Sequence, residues 1–335
     1  MEIRAHAIKQ PGEAAAPFTY HRDVGPHDVV LRVTHRSMTT GDVQFIDNDW
    51  GDTRYPLVPG HEMVAIVEQA GGEVTDLRAG ERVGVGFQLG ACFACSFCNE
   101  GVEQFCPNQT VVGVNAYGGL AEHIVVDSRF AFQLPARLDS ALAVPLLSSG
   151  LTVYSAIVHA QLAPEARVAV LGIGGLGRLA LQVLRAQGHQ VSAFSRTPEK
   201  RAVIRELGAD YIDGSDAESL AAQRAKFDFI LSTLNVPFDL GAYLPMLRPQ
   251  GQLCFVAAPT QPLSLRAGLL YDYGRRRLYG SYVGSRADTR ALLEFAATHD
   301  VRPHVEPMPF SQANDAIARV RRRENPAALV LISDH

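Results

Sequence analysis

Apolar and polar positions change rhythm along this chain of 335 residues. Up to about residue 150, short apolar runs such as DVVLRVTH, MVAIVEQA and RVGVGF alternate with polar positions and are cut by Gly and Pro. A period of two with frequent punctuation predicts short strands in an irregular antiparallel β-domain. Beyond that point, RVAVLGIGGLGRLALQVLRAQGHQVSAFSR reads as strand, glycine turn, long amphipathic helix and strand. Further strands follow in DFILSTLN, QLCFVAAP and RRRLYGSYVG, with helical stretches between them, which predicts a doubly wound parallel sheet. The tail then reads as a helix (ADTRALLEFAATHD), a strand (HVEPMPF), a helix (QANDAIARVRRR) and an apolar strand (AALVLI) that fold back onto the first domain. The expected class is therefore α/β. A β-rich domain comprises residues 1–149 and 286–335, and a parallel-sheet domain comprises residues 150–285.

Composition narrows the class of function. With 47% hydrophobic and 20% charged residues, the chain has an ordinary globular balance. A formal net charge of −4 creates no basic field for nucleic acid or an anionic membrane. No apolar run approaches the roughly 20 residues that span a bilayer. The N-terminal MEIRAHAIKQPGE lacks the apolar core of a secretory signal. The expectation is a cytoplasmic protein.

Four of the five cysteines, Cys92, Cys95, Cys98 and Cys106, fall in one segment, while Cys254 stands alone in a strand-like run. Short C-x-x-C spacings with four thiolates suit tetrahedral zinc, and a chain with no export signal argues against disulfides. Four protein ligands close the coordination sphere, so the expected ion is structural, in a lobe at about residues 88–110.

The segment GIGGLG places glycines at Gly172, Gly174, Gly175 and Gly177 around Leu176. It directly follows the strand VAVL and opens a helix, the context in which this pattern cradles a dinucleotide pyrophosphate. The next strand ends in Ser195, Arg196 and Thr197, with Lys200 close behind and no acidic residue to hold a ribose 2′-hydroxyl. Hydroxyls and cations suit a 2′-phosphate, so NADPH is favoured over NADH. The plainer alternative is a solvated basic start of a helix.

Together, YPLVPGHEMVAIVE, the cysteine lobe, AVPLLSSGLTVYSAI, VLGIGGLGRLALQ, AFSRTPEK, LGAD and GSYVGS resemble, in order, the zinc-containing medium-chain alcohol dehydrogenases. The nearest branch is that of the cinnamyl-alcohol-dehydrogenase-like aldehyde reductases. The resemblance implies a GroES-like catalytic domain built from both chain ends, a Rossmann NADP(H)-binding domain between them, and assembly as a homodimer or tetramer. It also implies a catalytic zinc held by a cysteine, the histidine of G-H-E and a second cysteine. The matching positions here are Thr39, His61 and Ser148. Asp42, which orients the histidine in that family, and Glu62 are retained, and Thr40 replaces the proton-relay residue. The arginine that the family places near the cofactor is missing, since the matching region reads NPAALVLI.

A hydroxyl stays protonated at neutral pH, whereas a thiol with a pKa of about 8.5 yields a thiolate at modest cost. One histidine and two hydroxyls are a poor zinc site, so the catalytic zinc is expected to be absent. Without that Lewis acid, hydride transfer needs an acceptor that is already electrophilic: an iminium, or an alkene conjugated to a carbonyl. The reading is thus an NADPH-dependent reduction of an activated C=C or C=N bond in a small molecule or peptide. His61 backed by Asp42 serves as proton donor or oxyanion partner, Thr39 and Thr40 as relay hydroxyls, Ser148 as pocket lining, and Trp50 and Tyr154 as walls. Two readings compete. One is a zinc alcohol dehydrogenase with atypical ligands drawn from His61, Glu62 and Asp42. The other is an inactive NADPH-binding protein in which His61 is vestigial.

Overall fold

A computed structural model describes every residue except Ala258, Thr260, Tyr273, Asn325, Pro326, Asp334 and His335. The start of NPAALVLI, where the family arginine is missing, lies outside the described residues. The chain divides into two compact units, Met1–Leu151 with Gly284–His335, and Thr152–Val283.

The long strand Asp28–Met38 organises the first unit. One edge pairs antiparallel with His123–Asp127 along its first half and with Ala328–Ile332 along its second. The other edge pairs antiparallel with Met63–Ala70. Strand alternation sends Val29, Leu31 and Val33 into one apolar core and Val30 into another, so both faces of this strand are covered. The C-terminal strand Ala328–Ile332 is thus a structural member of the N-terminal sheet. One pairing departs from the antiparallel expectation: Val305–Pro309 runs parallel to Ala328–Ile332. The helix Ala313–Arg321 lies between the two in sequence and carries the chain back, and a parallel pair requires such a crossover.

The second unit holds six parallel strands. Their spatial order is Asp210–Asp213, Gln190–Ser195, Arg167–Leu171, Phe227–Ser232, Leu247–Phe255 and Arg277–Gly280. The order reverses beside Arg167–Leu171, and ligands of open α/β sheets bind at the carboxyl ends of the strands at such a switch point. Buried Ala169, Leu171, Ile230 and Leu253 form near-continuous apolar strands, as expected of a sheet covered on both faces.

Candidate active site

Two neighbouring strands of the first unit deliver the polar cluster. Asp28–Met38 ends at Thr39, and Met63–Ala70 begins just after His61 and Glu62, with Ser37 N donating to Glu62 O at 3.1 Å. Thr39 caps the helix Thr40–Asp47: its hydroxyl accepts from Asp42 N at 3.2 Å, and Asp42 Oδ2 accepts from Thr39 N at 2.9 Å. This reciprocal capping pins the carboxylate of Asp42. The same oxygen accepts from Thr39 Oγ1 at 3.0 Å, while Oδ1 accepts from Gly60 N at 2.9 Å and from His61 Nδ1 at 2.8 Å.

Burial opposes a charge on His61, but the Asp42 carboxylate at Nδ1, helped by Glu62, outweighs it and holds the imidazole pKa up to about 9. Burial likewise opposes ionisation of Asp42; His61 and the N–H groups of Thr39 and Gly60 outweigh it and keep that carboxyl below its ordinary value. The pair therefore favours the protonated imidazole at His61. Its Nε2 has no hydrogen-bond partner among the described residues, and its side chain keeps 10% exposure. Nε2–H is the free acidic face of this pair.

Glu62 is fully buried, and both its oxygens are occupied: Oε2 accepts from Ser37 Oγ at 2.5 Å and Oε1 from Ser149 N at 2.6 Å. Burial raises its pKa above the ordinary carboxylate value despite these donors. It ties the Ser148–Ser149 turn to Ser37, near the end of the strand Asp28–Met38, and Ser148 itself is buried. Thr40 opens the helix and is exposed. An aromatic row flanks His61. Phe87 sits edge-on at 6.1 Å between ring centroids, Phe45 stacks on Phe87 at 6.3 Å, and Trp50 meets Phe45 edge-on at 4.7 Å. Trp50 is 46% exposed, and Tyr154 is buried in the second unit within the helix Ser149–His159.

In the second unit, the glycine turn joins the strand Arg167–Leu171 to the helix Gly175–Ala186, with Gly174 as N-cap. Gly172 has φ +89°, a left-handed conformation that disfavours side chains. A Cβ on Gly177 would lie 2.1 Å from Gly172 O, so only glycine permits this helix–strand contact. Around Gly174 and Gly175 the space is open. Thr233 Oγ1 donates to Gly172 O at 2.7 Å and to Leu171 O at 3.1 Å, pinning the turn from the adjacent strand. Ser195 Oγ accepts from Thr197 N at 3.1 Å, and Arg196 is exposed. Burial, then the nearby Arg178, lowers the pKa of Lys200, so Arg178 adds a cation to this cluster.

The four clustered cysteines converge. Cys92 Sγ lies 3.5 Å from Cys106 Sγ and 3.9 Å from Cys98 Sγ, and all four sulfurs fall within 4.8 Å of one another. Tetrahedral Zn–S bonds of about 2.3 Å put sulfurs about 3.8 Å apart, so the donor set fits that ion. Backbone N–H groups of Ala94 and Cys95 draw the Cys92 thiol down to about 6.

The model "Alcohol dehydrogenase GroES-like domain" matches residues 25–136, and "Zinc-binding dehydrogenase" matches residues 175–298. Aldehyde reductase AdhA of Synechocystis sp. is 38% identical over 320 residues, covering 95% of each chain. Vomilenine reductase of Rauvolfia serpentina is 33% identical over 95% of this chain and 91% of its own. The crystallised cinnamyl alcohol dehydrogenase of Sorghum bicolor is 32% identical with a TM-score of 0.94, covering 99% of this chain and 98% of its own. The chain belongs to the zinc-containing medium-chain alcohol dehydrogenase family. It is thus an oxidoreductase of that family, with a GroES-like domain and a Rossmann-like parallel sheet.

The family implies two zinc ions, and the two donor sets differ in this chain. Cys92, Cys95, Cys98 and Cys106 form the one metal-competent His/Cys/Asp/Glu cluster among the described residues. At the other position, the ligand set is His61 with two neutral hydroxyls. The Thr39 hydroxyl is committed to Asp42. The carboxylates that could substitute are engaged as well: Asp42 on four donor groups, and Glu62 on Ser37 and Ser149. The residues around His61 do not fit a catalytic zinc.

Sequence reasoning passed over Ser37, Ser149, Thr233 and Arg178. Ser37, Ser149 and Thr233 are single small polar residues without periodic signal, and only the approach of distant segments brings them onto Glu62 and the glycine turn. Arg178 lies within the helix after that turn, where its approach to Lys200 is a matter of tertiary structure.

Proposed function

We propose that this enzyme is an NADPH-dependent reductase of an activated C=C or C=N bond, working without a catalytic zinc. The observation that carries the reading is the donor set around His61: one charged imidazole, hydroxyls in place of thiolates, and carboxylates already committed elsewhere. The Gly172–Gly177 turn would hold the pyrophosphate, and Ser195, Arg196, Thr197 and Lys200 the 2′-phosphate. When bound there, NADPH supplies a hydride.

His61 then does the proton work. In an α,β-unsaturated carbonyl the β-carbon accepts the hydride, and His61 Nε2–H either stabilises the enolate oxygen or protonates the α-carbon. A positioned general acid contributes about 10²–10⁴ in rate. Asp42 keeps the imidazolium oriented and charged. After transfer, the neutral imidazole recovers a proton at Nε2, ultimately from solvent. We assign that relay to Thr40, exposed at the helix start, rather than to Thr39, whose hydroxyl is bound to Asp42. Phe87, Phe45 and Trp50 favour an aromatic or medium-sized acceptor, a small molecule or a peptide side group. Assembly as a homodimer belongs to this proposal and is checked by light scattering.

A second reading has a specific basis, since relatives at 38% identity are named aldehyde reductase and NADP-dependent alcohol dehydrogenase. Reduction of plain aldehydes would restore the need for a second zinc. NADPH consumption with panels of enones, cyclic imines and unactivated aldehydes, on protein of known zinc content, separates the two. Turnover of enones or imines at one zinc per chain supports the proposal, and aldehyde turnover that tracks a second zinc supports the alternative.

A further inference from the structure

A cavity of about 480 Å³ opens in the first unit. None of Thr39, Asp42, His61, Ser148 or Phe87 lines it. Tyr20 and Tyr117 form one wall, with ring centroids 4.5 Å apart, and Leu57 and Leu89 add apolar surface. Neither tyrosine hydroxyl has a hydrogen-bond partner among the described residues, and neither is sealed from solvent. The volume lies within the roughly 300–1,000 Å³ of small-molecule sites.

The charges lining the cavity are unequal in their freedom. Its acids are occupied: Asp127 takes Arg129 through both carboxylate oxygens, at 2.8 Å and 2.5 Å, and Asp28 accepts from Gly25 N at 2.9 Å. Its arginines are not. Arg22 and Arg54 line the cavity, are exposed, and form no ion pair among the described residues. Aromatic faces, phenolic hydroxyls and two available guanidinium groups are together the chemistry that recognises a flat ring bearing a carboxylate.

We propose that this cavity is a second ligand site, separate from the His61 site, for a planar aromatic carboxylate. The ring packs against Tyr20 and Tyr117, and the carboxylate meets Arg22 and Arg54. The test is calorimetric titration of 2-naphthoate into the full-length protein saturated with NADPH, with uncharged 2-naphthalenemethanol as the control. Four proteins are compared: wild type, Arg22→Gln/Arg54→Gln, Tyr117→Ala and His61→Ala. Both arginines are exposed, so their replacement leaves the fold intact. The expected result is saturable 2-naphthoate binding that weakens at least tenfold in the double arginine variant and in Tyr117→Ala. It is unchanged in His61→Ala, and the uncharged control binds at least tenfold more weakly than 2-naphthoate. Binding that ignores the arginines, binding that vanishes in His61→Ala, or no binding at millimolar concentration overturns the proposal.

Discussion

Replacing Asp42 with asparagine removes the charge that holds His61 protonated. The imidazole pKa rises from 6.5 to about 9 in the folded protein, with burial acting against it and Asp42 prevailing. That displacement corresponds to about 3 kcal/mol in favour of the imidazolium. With the Asp42 carboxylate gone, burial acts against only the weaker pull of Glu62, and the pKa falls well below its wild-type position. At pH 7.5 the protonated fraction then drops from its wild-type level. In Asp42→Asn, kcat/KM at pH 7.5 should fall about tenfold, and the alkaline limb of its pH profile should move down from near 9 toward neutral pH. Acidifying the assay should restore much of the lost rate. Stability carries the same sign. A pKa raised on folding stabilises fully below the unfolded value of 6.5 and is lost as pH climbs through about 9. Denaturant unfolding of the wild type should therefore weaken between pH 6.5 and 9 more steeply than that of Asp42→Asn. An alkaline limb that stays near 9 in the variant would refute the role given to the pair.

Other substitutions test other parts. In Gly177→Ala the new methyl meets Gly172 O at 2.1 Å, backbone against backbone. Stability should fall by about 1–3 kcal/mol and NADPH binding should weaken sharply, as read by calorimetry. Arg196→Ala should raise the Kd for NADPH about ten- to hundredfold while leaving NADH nearly unchanged, since a charge-assisted hydrogen bond contributes about 1.5–3 kcal/mol. Equal losses for both cofactors would remove Arg196 from 2′-phosphate recognition. Cys98→Ser should release the lobe zinc, measured by metal analysis, and lower the thermal midpoint; full retention of zinc would contradict the four-sulfur site.

The fold was legible because each domain repeats one rhythm. Alternation in DVVLRVTH and continuous apolar runs in VAVL and DFIL specify half-buried and fully buried strands in turn. Cysteine spacing marked the four sulfurs that the structure brings together, and the Gly172–Gly177 pattern marked the tight strand-to-helix turn. The parallel pairing of Val305–Pro309 with Ala328–Ile332 was not legible, because an apolar strand carries no mark of its partner's direction. Nor was the engagement of Glu62. As a residue beside the G-H-E histidine it looks available to a metal, yet it spends both oxygens on Ser37 and Ser149, a serine 87 positions away. The Thr39 hydroxyl is similar: a relay by type, a helix cap by geometry.

The central claim is that this chain binds metal with four sulfurs and not with the His61 imidazole. Anomalous scattering at the zinc edge, on crystals of protein purified without chelator and soaked in zinc, tests it most directly. The account predicts one strong peak per chain amid Cys92, Cys95, Cys98 and Cys106, and none within bonding distance of His61 Nε2. A second peak on that nitrogen would contradict it.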